Sequence, residues 1–570
     1  MAAMSAPSPI MEEEPLFPPV HAVHAKKSHK EPPPETSEAI FRRRMILLSF
    51  WAVAVFLGLP IWWKTTTVYR AQLPVGRMLE WGDGKVCKPT FPLRIAVEAP
   101  SLPVQESQHL IRTTQHALDD LNDFSAHHLR LLLSGPAQNA SAVGATNSVP
   151  VSKITTPKDG ESDKEDIALT IKLLLGESGT TPRSSLHPYK PTLDVYYSPN
   201  QIPSTSSTAS PLANFIAAEL QSLFNEEQAT LAHLLASTAS QPPQIKSISP
   251  EMADFLAKRK TRSFKYSPTY HLTFSLFTPT STPSNWDIEG ALETYLSPLL
   301  ESLSSISNFT VDSQVQIYAT LSPSISGPEF DEEKGVWTLK KEDLSGFVNA
   351  AEWPLSPSIG AGPTINFIIY VPSVEQSPLV IRENGGSSWL VPQWGGVQIL
   401  NNPSTSTNTL SKEDLRPALQ IFSTQLLSLL GLPSTPASLP LRLSTLSRIH
   451  SASLLFSASS TLGALARLTK TLPSIAIPDT VAHDVEMTMK YLQAACDGLK
   501  EGAFGKALEN ARNAEGSAER AFFERSMVGQ VYFPDEHKVA VYLPLLGPVA
   551  VPLVMAVVKE FKLWRKSRRG

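Results

Sequence analysis

The chain of 570 residues carries 49 Lys and Arg against 53 Asp and Glu, for a net charge of -4 and a pI near 6.4. With its basic residues gathered only at the two ends, it offers no concentrated basic face, so nucleic acid is not expected among its partners. Two cysteines, Cys87 and Cys496, exclude a disulfide framework and a CxxC-type zinc site, while 49 prolines and only 18% charged residues predict long irregular stretches.

Residues 1–44 contain Pro7, Pro9, Pro15, Pro18, Pro19 and the run Pro32-Pro33-Pro34 with few large apolar side chains, and read as a disordered tail. Met45 to Trp63 follows, nineteen residues without a charge behind Arg42, Arg43 and Arg44. At about 1.5 Å per residue it nearly crosses a hydrocarbon core about 30 Å thick. A cleaved signal peptide has a shorter apolar region nearer the start and a small-residue cleavage site, whereas this segment ends in the interfacial pair Trp62-Trp63. Val539 to Val558, twenty uncharged residues, is a second spanning candidate ahead of the basic tail 559–570.

Lys and Arg mark the cytoplasmic flank of a span. Six precede Met45 within twenty residues (Lys26, Lys27, Lys30, Arg42, Arg43, Arg44) and three follow Trp63 (Lys64, Arg70, Arg77). Three precede Val539 (Arg520, Arg525, Lys538), and six follow Val558 (Lys559, Lys562, Arg565, Lys566, Arg568, Arg569). Both termini are therefore expected in the cytoplasm, with residues 64–538 across the membrane in a lumenal or extracellular space.

Residues 64–440 alternate strand-like and helix-like patterns, an α/β domain with a mixed sheet and flanking helices. Apolar or alternating runs at Leu93 to Glu98, Ile167 to Leu175, Leu193 to Tyr197, Tyr270 to Phe277, Val315 to Leu321 and Thr364 to Val371 predict strands. Ile288, Leu292, Leu296, Leu299, Leu300 and Leu303 form one helical stripe. A second helix has a capping box at Ser411 and Asp414, a stripe from Leu415 to Leu430, and a stop at Gly431 and Pro433. Ser134 to Asp166 lacks periodicity and reads as a surface insertion. From Leu441 to Ser526 the pattern is helical: one stripe is Val481, Val485, Met489, Leu492, Cys496 and Leu499, and another runs from Phe504 to Phe522. This predicts a helical hairpin or bundle over 441–538 leading into the second span; the tetratricopeptide likeness of its second half lacks a repeat at that period.

Gln493-Ala494-Ala495-Cys496-Asp497-Gly498 approaches the caspase-type Q-A-C-x-G signature but has one alanine too many, and Cys496 lies on an apolar helical stripe where a nucleophile would be buried. Cys87 sits in a turn after the first span, and a Cys87–Cys496 disulfide would tie the membrane-proximal ends of the domain together. No HExxH, GxSxG, GxGxxG or Walker pattern occurs, so no cofactor is expected, and His127-His128 is assigned to a helical stretch without partners at metal-ligand spacing. Asn139-Ala-Ser and Asn308-Phe-Thr are glycosylation sequons, Asn139 on the flexible insertion being the better acceptor. Pro544, Pro548 and Pro552, spaced by four, remove the donors to the carbonyls of Ala540, Pro544 and Pro548 along one side of the second span. Those carbonyls need substitutes in lipid, so the helix is expected to bend and meet another helix or a lipid headgroup there.

INFIIYVPSVEQSPLVI (Ile365 to Ile381), with Tyr370 and Pro372, followed by LVPQWGGVQILNN (Leu390 to Asn402), with Pro392, Trp394, Gly395 and Gly396, resembles the PIG-S subunit family of the glycosylphosphatidylinositol (GPI) transamidase complex. YHLTFSLF, PTLDVYYSPNQIP and the two-span layout agree with it, so the resemblance extends beyond the cytoplasmic tail across the chain. It implies a non-catalytic scaffold in the endoplasmic reticulum membrane, assembled with the PIG-K, PIG-T, PIG-U and GPAA-type subunits and in contact with membrane lipid, including GPI. The complex replaces a C-terminal signal with a preassembled glycolipid, and the nucleophile belongs to another, caspase-like subunit. Gly395 and Gly396 would make a bulge or turn beneath Trp394. Two readings outside this family stand beside it: a lumenal hydrolase using Cys496 or Cys87, and a free-standing lumenal binding or chaperone-like protein.

Overall fold

The computed structural model describes residues 36–66, 69–134, 167–176, 181–203, 207, 210–238, 250–319, 327–347, 362–401, 408–472, 475–527 and 536–568. Residues 1–35, 135–166 and the sequon at Asn139 lie outside them. The chain divides into two units, one holding the two ends and the other Tyr69–Phe533.

In the terminal unit, α1 (Ser37–Val53) begins ahead of the charge-free stretch, supported by an Arg42–Glu38 pair one turn apart. It passes through a π turn at Ala54–Gly58 into α2 (Leu59–Thr66). Leu59 N–H reaches back five residues to Ala54 O. Pro60 has no N–H and its ring crowds the carbonyl four residues earlier, so the wider turn accommodates it. The C-terminal helix Glu536–Ser567 runs continuously through Pro544, Pro548 and Pro552. Ser37–Lys64 and Ala540–Arg565 are each long and apolar enough to cross a membrane, and no residue of their apolar windows is buried. The unit's helices meet where Arg43 and Arg44 share Glu560 at 2.5 and 3.0 Å.

The central unit begins with α3 (Val75–Gly82), β1 (Phe91–Glu98), α4 (Val104–Leu121), β2 (His127–Leu133), β3 (Ile167–Leu175), β4 (Arg183–Leu186), β5 (Thr192–Tyr197) and α5 (Pro211–Thr238). Its sheet has the order β2-β1-β3-β5-β4, parallel except for β4. The predicted helix at His127-His128 is thus a strand: HHLRLLL is a short apolar run that periodicity cannot separate from a buried helix, and pairing with β1 decides it.

After α6 (Pro250–Arg262) come β6 (Thr269–Phe277), β7 (Asn285–Trp286), α7 (Ile288–Tyr295), α8 (Ser297–Leu303), β8 (Asn308–Gln316), β9 (Glu329–Asp331), β10 (Val336–Leu339), β11 (Thr364–Tyr370), β12 (Leu379–Ile381), β13 (Ser388–Val391), β14 (Gly395–Ile399), β15 (Thr409–Leu410) and α9 (Lys412–Leu429). The second main sheet has the order β8-β6-β11-β14-β13, again parallel except for the strand next to last in sequence. Strand for strand, this is the topology of the first sheet, so the unit holds two α/β lobes of one design. β9, β10 and β12 form a small side sheet, and β7 pairs with β15.

Two expectations need correction here. The single stripe from Ile288 to Leu303 is broken at Leu296, because Pro298 cannot continue the ladder and starts a new helix instead. The strand predicted at Val315 to Leu321 lies earlier, at Asn308–Gln316, where nine residues pair in unbroken register with β6; its polar, exposed sequence hid it.

Parallel strands buried on both faces read as continuous apolar runs. β11 shows this: Ile365, Phe367 and Ile369 enter one core with Phe274 and Phe422, and Ile368 and Tyr370 enter another with Val397 and Ile399. Phe367 lies 5.3 Å from Phe274 and 4.7 Å from Phe422, ring centre to ring centre. α9 carries the expected capping box, and Gly431 closes it with φ +79°.

The helices α10 (Leu439–Thr471), α11 (Asp479–Glu501) and α12 (Phe504–Phe522) close the unit. Their buried residues join those of the first sheet in one hydrophobic cluster, so a layer of the first lobe's core comes from the far end of the chain. α10 crosses α3 with backbones nearly touching: a Cβ on Gly82 would lie 2.6 Å from the Gly463 Cα.

Candidate functional site

Cys87 and Cys496 are joined, with Cα atoms 6.2 Å apart and both residues buried. Neither sulfur offers a thiolate, so the caspase-like spelling around Cys496 is a helix interior. Among the described residues no group of His, Cys, Asp and Glu is arranged to hold a metal ion.

The segment that carried the family resemblance forms a packing junction. Gly395 and Gly396 open β14 beside β11, where a Cβ on Gly395 would sit 1.8 Å from Asn366 O and one on Gly396 1.8 Å from Gln425 Oε1. Both glycines are therefore required by close approach, one to backbone and one to a buried side chain. Gln425 Nε2 donates to Trp389 O at 3.1 Å, fixing α9 to β13. Trp394 packs against the core on the other sheet face, and its carbonyl accepts from Asn366 N–H at 3.0 Å. Gln393, at φ +52°, docks on the end of α6 by donating to the carbonyls of Arg262 and Thr261 at 3.1 and 3.2 Å. Pro392 is exposed beside it, Pro372 is buried, and burial raises the Tyr370 hydroxyl to a pKa of about 12.

Sequence reasoning missed a buried charged seam. Consecutive residues of α5, Glu226 and Glu227, are 5% and 2% exposed. Glu226 pairs with Arg259 of α6 and accepts from the N–H groups of Ser434 and Thr435 at 3.3 and 3.0 Å, so it joins the first lobe to the segments entering and leaving the second. Glu227 accepts from Arg448 Nε at 2.5 Å and from Thr445 Oγ1 at 2.6 Å, with His127 Nε2 at 3.6 Å. Burial pushes the Glu227 carboxyl up, but the Arg448 charge and hydrogen bonds outweigh it and hold the group well below the usual carboxylate range. The visible signal is the adjacent acid pair Glu226-Glu227 in the middle of a long helix.

Two α/β lobes, a helical layer and two candidate spans define a membrane-associated α/β protein. A family model described as "Phosphatidylinositol-glycan biosynthesis class S protein" matches residues 49–567, and the chain belongs to this PIG-S family. It is 28% identical to the Homo sapiens "GPI-anchor transamidase component PIGS", covering 93% of this chain and 98% of that protein. The Schizosaccharomyces pombe "GPI transamidase component PIG-S homolog" is 27% identical (92% and 85% covered), and the Saccharomyces cerevisiae "GPI transamidase component GPI17" is 26% identical (89% and 90%).

Proposed function

We propose that this chain is a non-catalytic, partner-organising subunit of the GPI transamidase. It resides in the endoplasmic reticulum membrane with both termini cytoplasmic and residues 64–538 lumenal. The observation that carries the reading is family membership over nearly the whole chain, and the sealing of both thiols in a disulfide supports it against a cysteine hydrolase. Its partners are the PIG-K, PIG-T, PIG-U and GPAA-type subunits. The proline-lined side of the C-terminal helix, at Pro544, Pro548 and Pro552, meets a partner helix or a lipid headgroup, GPI among them.

Depleting the protein should strip GPI-anchored proteins from the cell surface, and re-expressed Cys87→Ser/Cys496→Ser chain should restore them to the extent that it folds. Normal anchoring after depletion overturns the subunit reading. A correctly folded double variant that assembles but leaves the complex inactive overturns the non-catalytic one. Recovery of the wild-type chain alone from mild detergent would favour the free-standing binding protein.

Asn139 and Asn308 are the proposed glycan acceptors, and Asn308 is exposed at the first residue of β8. Asn139→Gln and Asn308→Gln should each remove one endoglycosidase-sensitive step in gel mobility. No shift in wild type would place the domain on the other side of the membrane or leave both sites vacant.

A further inference from the structure

β8 and β2 hold the same place in the two lobes, the outermost parallel strand beside the first, yet their outer edges are treated differently. In β2, side chains of the first lobe occupy backbone groups that a neighbouring strand would use. Gln115 donates to Leu129 O at 3.0 Å and accepts from Leu131 N–H at 3.1 Å, while Asn122 donates to His127 O at 2.9 Å. Among the described residues no side chain reaches the backbone of Phe309–Ser313 in that way, and no strand pairs with the far edge of β8.

An exposed edge normally carries a guard, such as a lysine, a proline, a bulge or a short length. NFTVDSQVQ has no lysine, arginine or proline, pairs with β6 without a shift over nine residues, and holds one charge, Asp312. Its register puts Phe309, Val311 and Val315 on the face of Tyr270, Leu272 and Leu276. Phe309 packs into that core, but Val311 and Val315 remain 39% and 38% exposed. A parallel sheet ordinarily has both faces covered, so an apolar stripe and an unpaired row of backbone donors and acceptors end here together.

We propose that the outer edge of β8 docks an extended polypeptide strand from another subunit of the transamidase, which continues the second sheet and covers Val311 and Val315. Only an extended backbone satisfies a sheet edge, and side chains alternating outward from it reach the two valines. The partner segment is therefore uncharged on that face and β-branched or aromatic. The inference rests on the chain being a complex subunit, and not on its being non-catalytic.

Val311→Asn completes a glycosylation sequon with Asp312 and Ser313 and puts a new glycan at mid-strand on the apolar face, opposite to the face on which Asn308 opens the strand; Val311→Asn/Ser313→Ala is the same strand without the new glycan. Glu332→Asn/Lys334→Thr places a glycan on the β9–β10 turn. The wild-type chain copurifying with the other subunits tests the subunit reading separately. The glycosylated Val311→Asn chain should lose copurification at least tenfold while both controls retain it; equal recovery of all three overturns the proposal. Hydrogen exchange on the wild-type chain does not depend on whether a variant folds or is glycosylated: β8 amides should be protected at least tenfold more in the purified complex than in the isolated wild-type chain. Equal protection in both states, or a dimer of the isolated chain held through β8, also overturns it.

Discussion

Gly395 and Gly396 are neighbours in sequence, but the structure assigns them different kinds of neighbour. Asn366 O is main chain in a central strand and cannot withdraw, so Gly395→Ala should destabilise by about 3 kcal/mol or more, in the range of severe strain. Gln425 Oε1 belongs to a side chain, so the defect of Gly396→Ala should be relieved in part by Gln425→Ala, although that change frees the Trp389 carbonyl. Thermal unfolding of the detergent-solubilised chain measures both, and failure of the second change to rescue would show that the backbone of β14 has moved. His450 offers a pH test. Burial first, and then the Arg512 charge, lower its pKa to about 4, while its ring lies 5.0 Å from that of Tyr266. The unfolded chain takes up this proton near pH 6.5 and the folded one near 4, so stability falls as pH drops through that window. With its part exposure the effect is on the order of 2 kcal/mol. His450→Phe should flatten the pH dependence of the melting temperature between about 6.5 and 4; an unchanged slope would reassign it to other groups.

At the scale of elements, charge burial on α5 makes the seam a strong constraint. Arg448→Met leaves the 2%-exposed Glu227 without its cation and should destabilise by about 3–5 kcal/mol, whereas Glu227→Leu/Arg448→Met should recover much of that loss. Chemical denaturation compares them, and a double variant no better than the single one would mean that the seam's worth lies in the pair itself. The same scale explains what could be read in advance. YHLTFSLF and TINFIIY are apolar throughout because both sheet faces are covered, and the Ser411 capping box is a local signal, so β6, β11 and α9 were legible. β8 and β2 were not, since their strand state comes from partners 39 and 36 residues away, and the contacts of Glu226 with Thr435 and of Glu227 with Arg448 come from more than two hundred residues further on.

For the whole molecule, the family could be read from a few stretches, yet the doubling of the α/β lobe could not, because strand order is a long-range property that no local pattern encodes. Of the candidate site, the glycines and the tryptophan were visible while their purpose, seating β14 against β11 and α9, needed the fold. The shared design also makes the differences between lobes informative: one outer strand is capped by glutamine and asparagine, and the other is bare among the described residues. The cluster uniting β1 and β3 with α10–α12, sealed by Cys87 and Cys496 at a separation of 409 residues, has a consequence in time. A ribosome delivers residue 87 long before residue 496, so the half of the domain made first is finished last. During that interval its sheet stands with one apolar side open, and a nascent chain stopped before α10 would present that side to the chaperones around it.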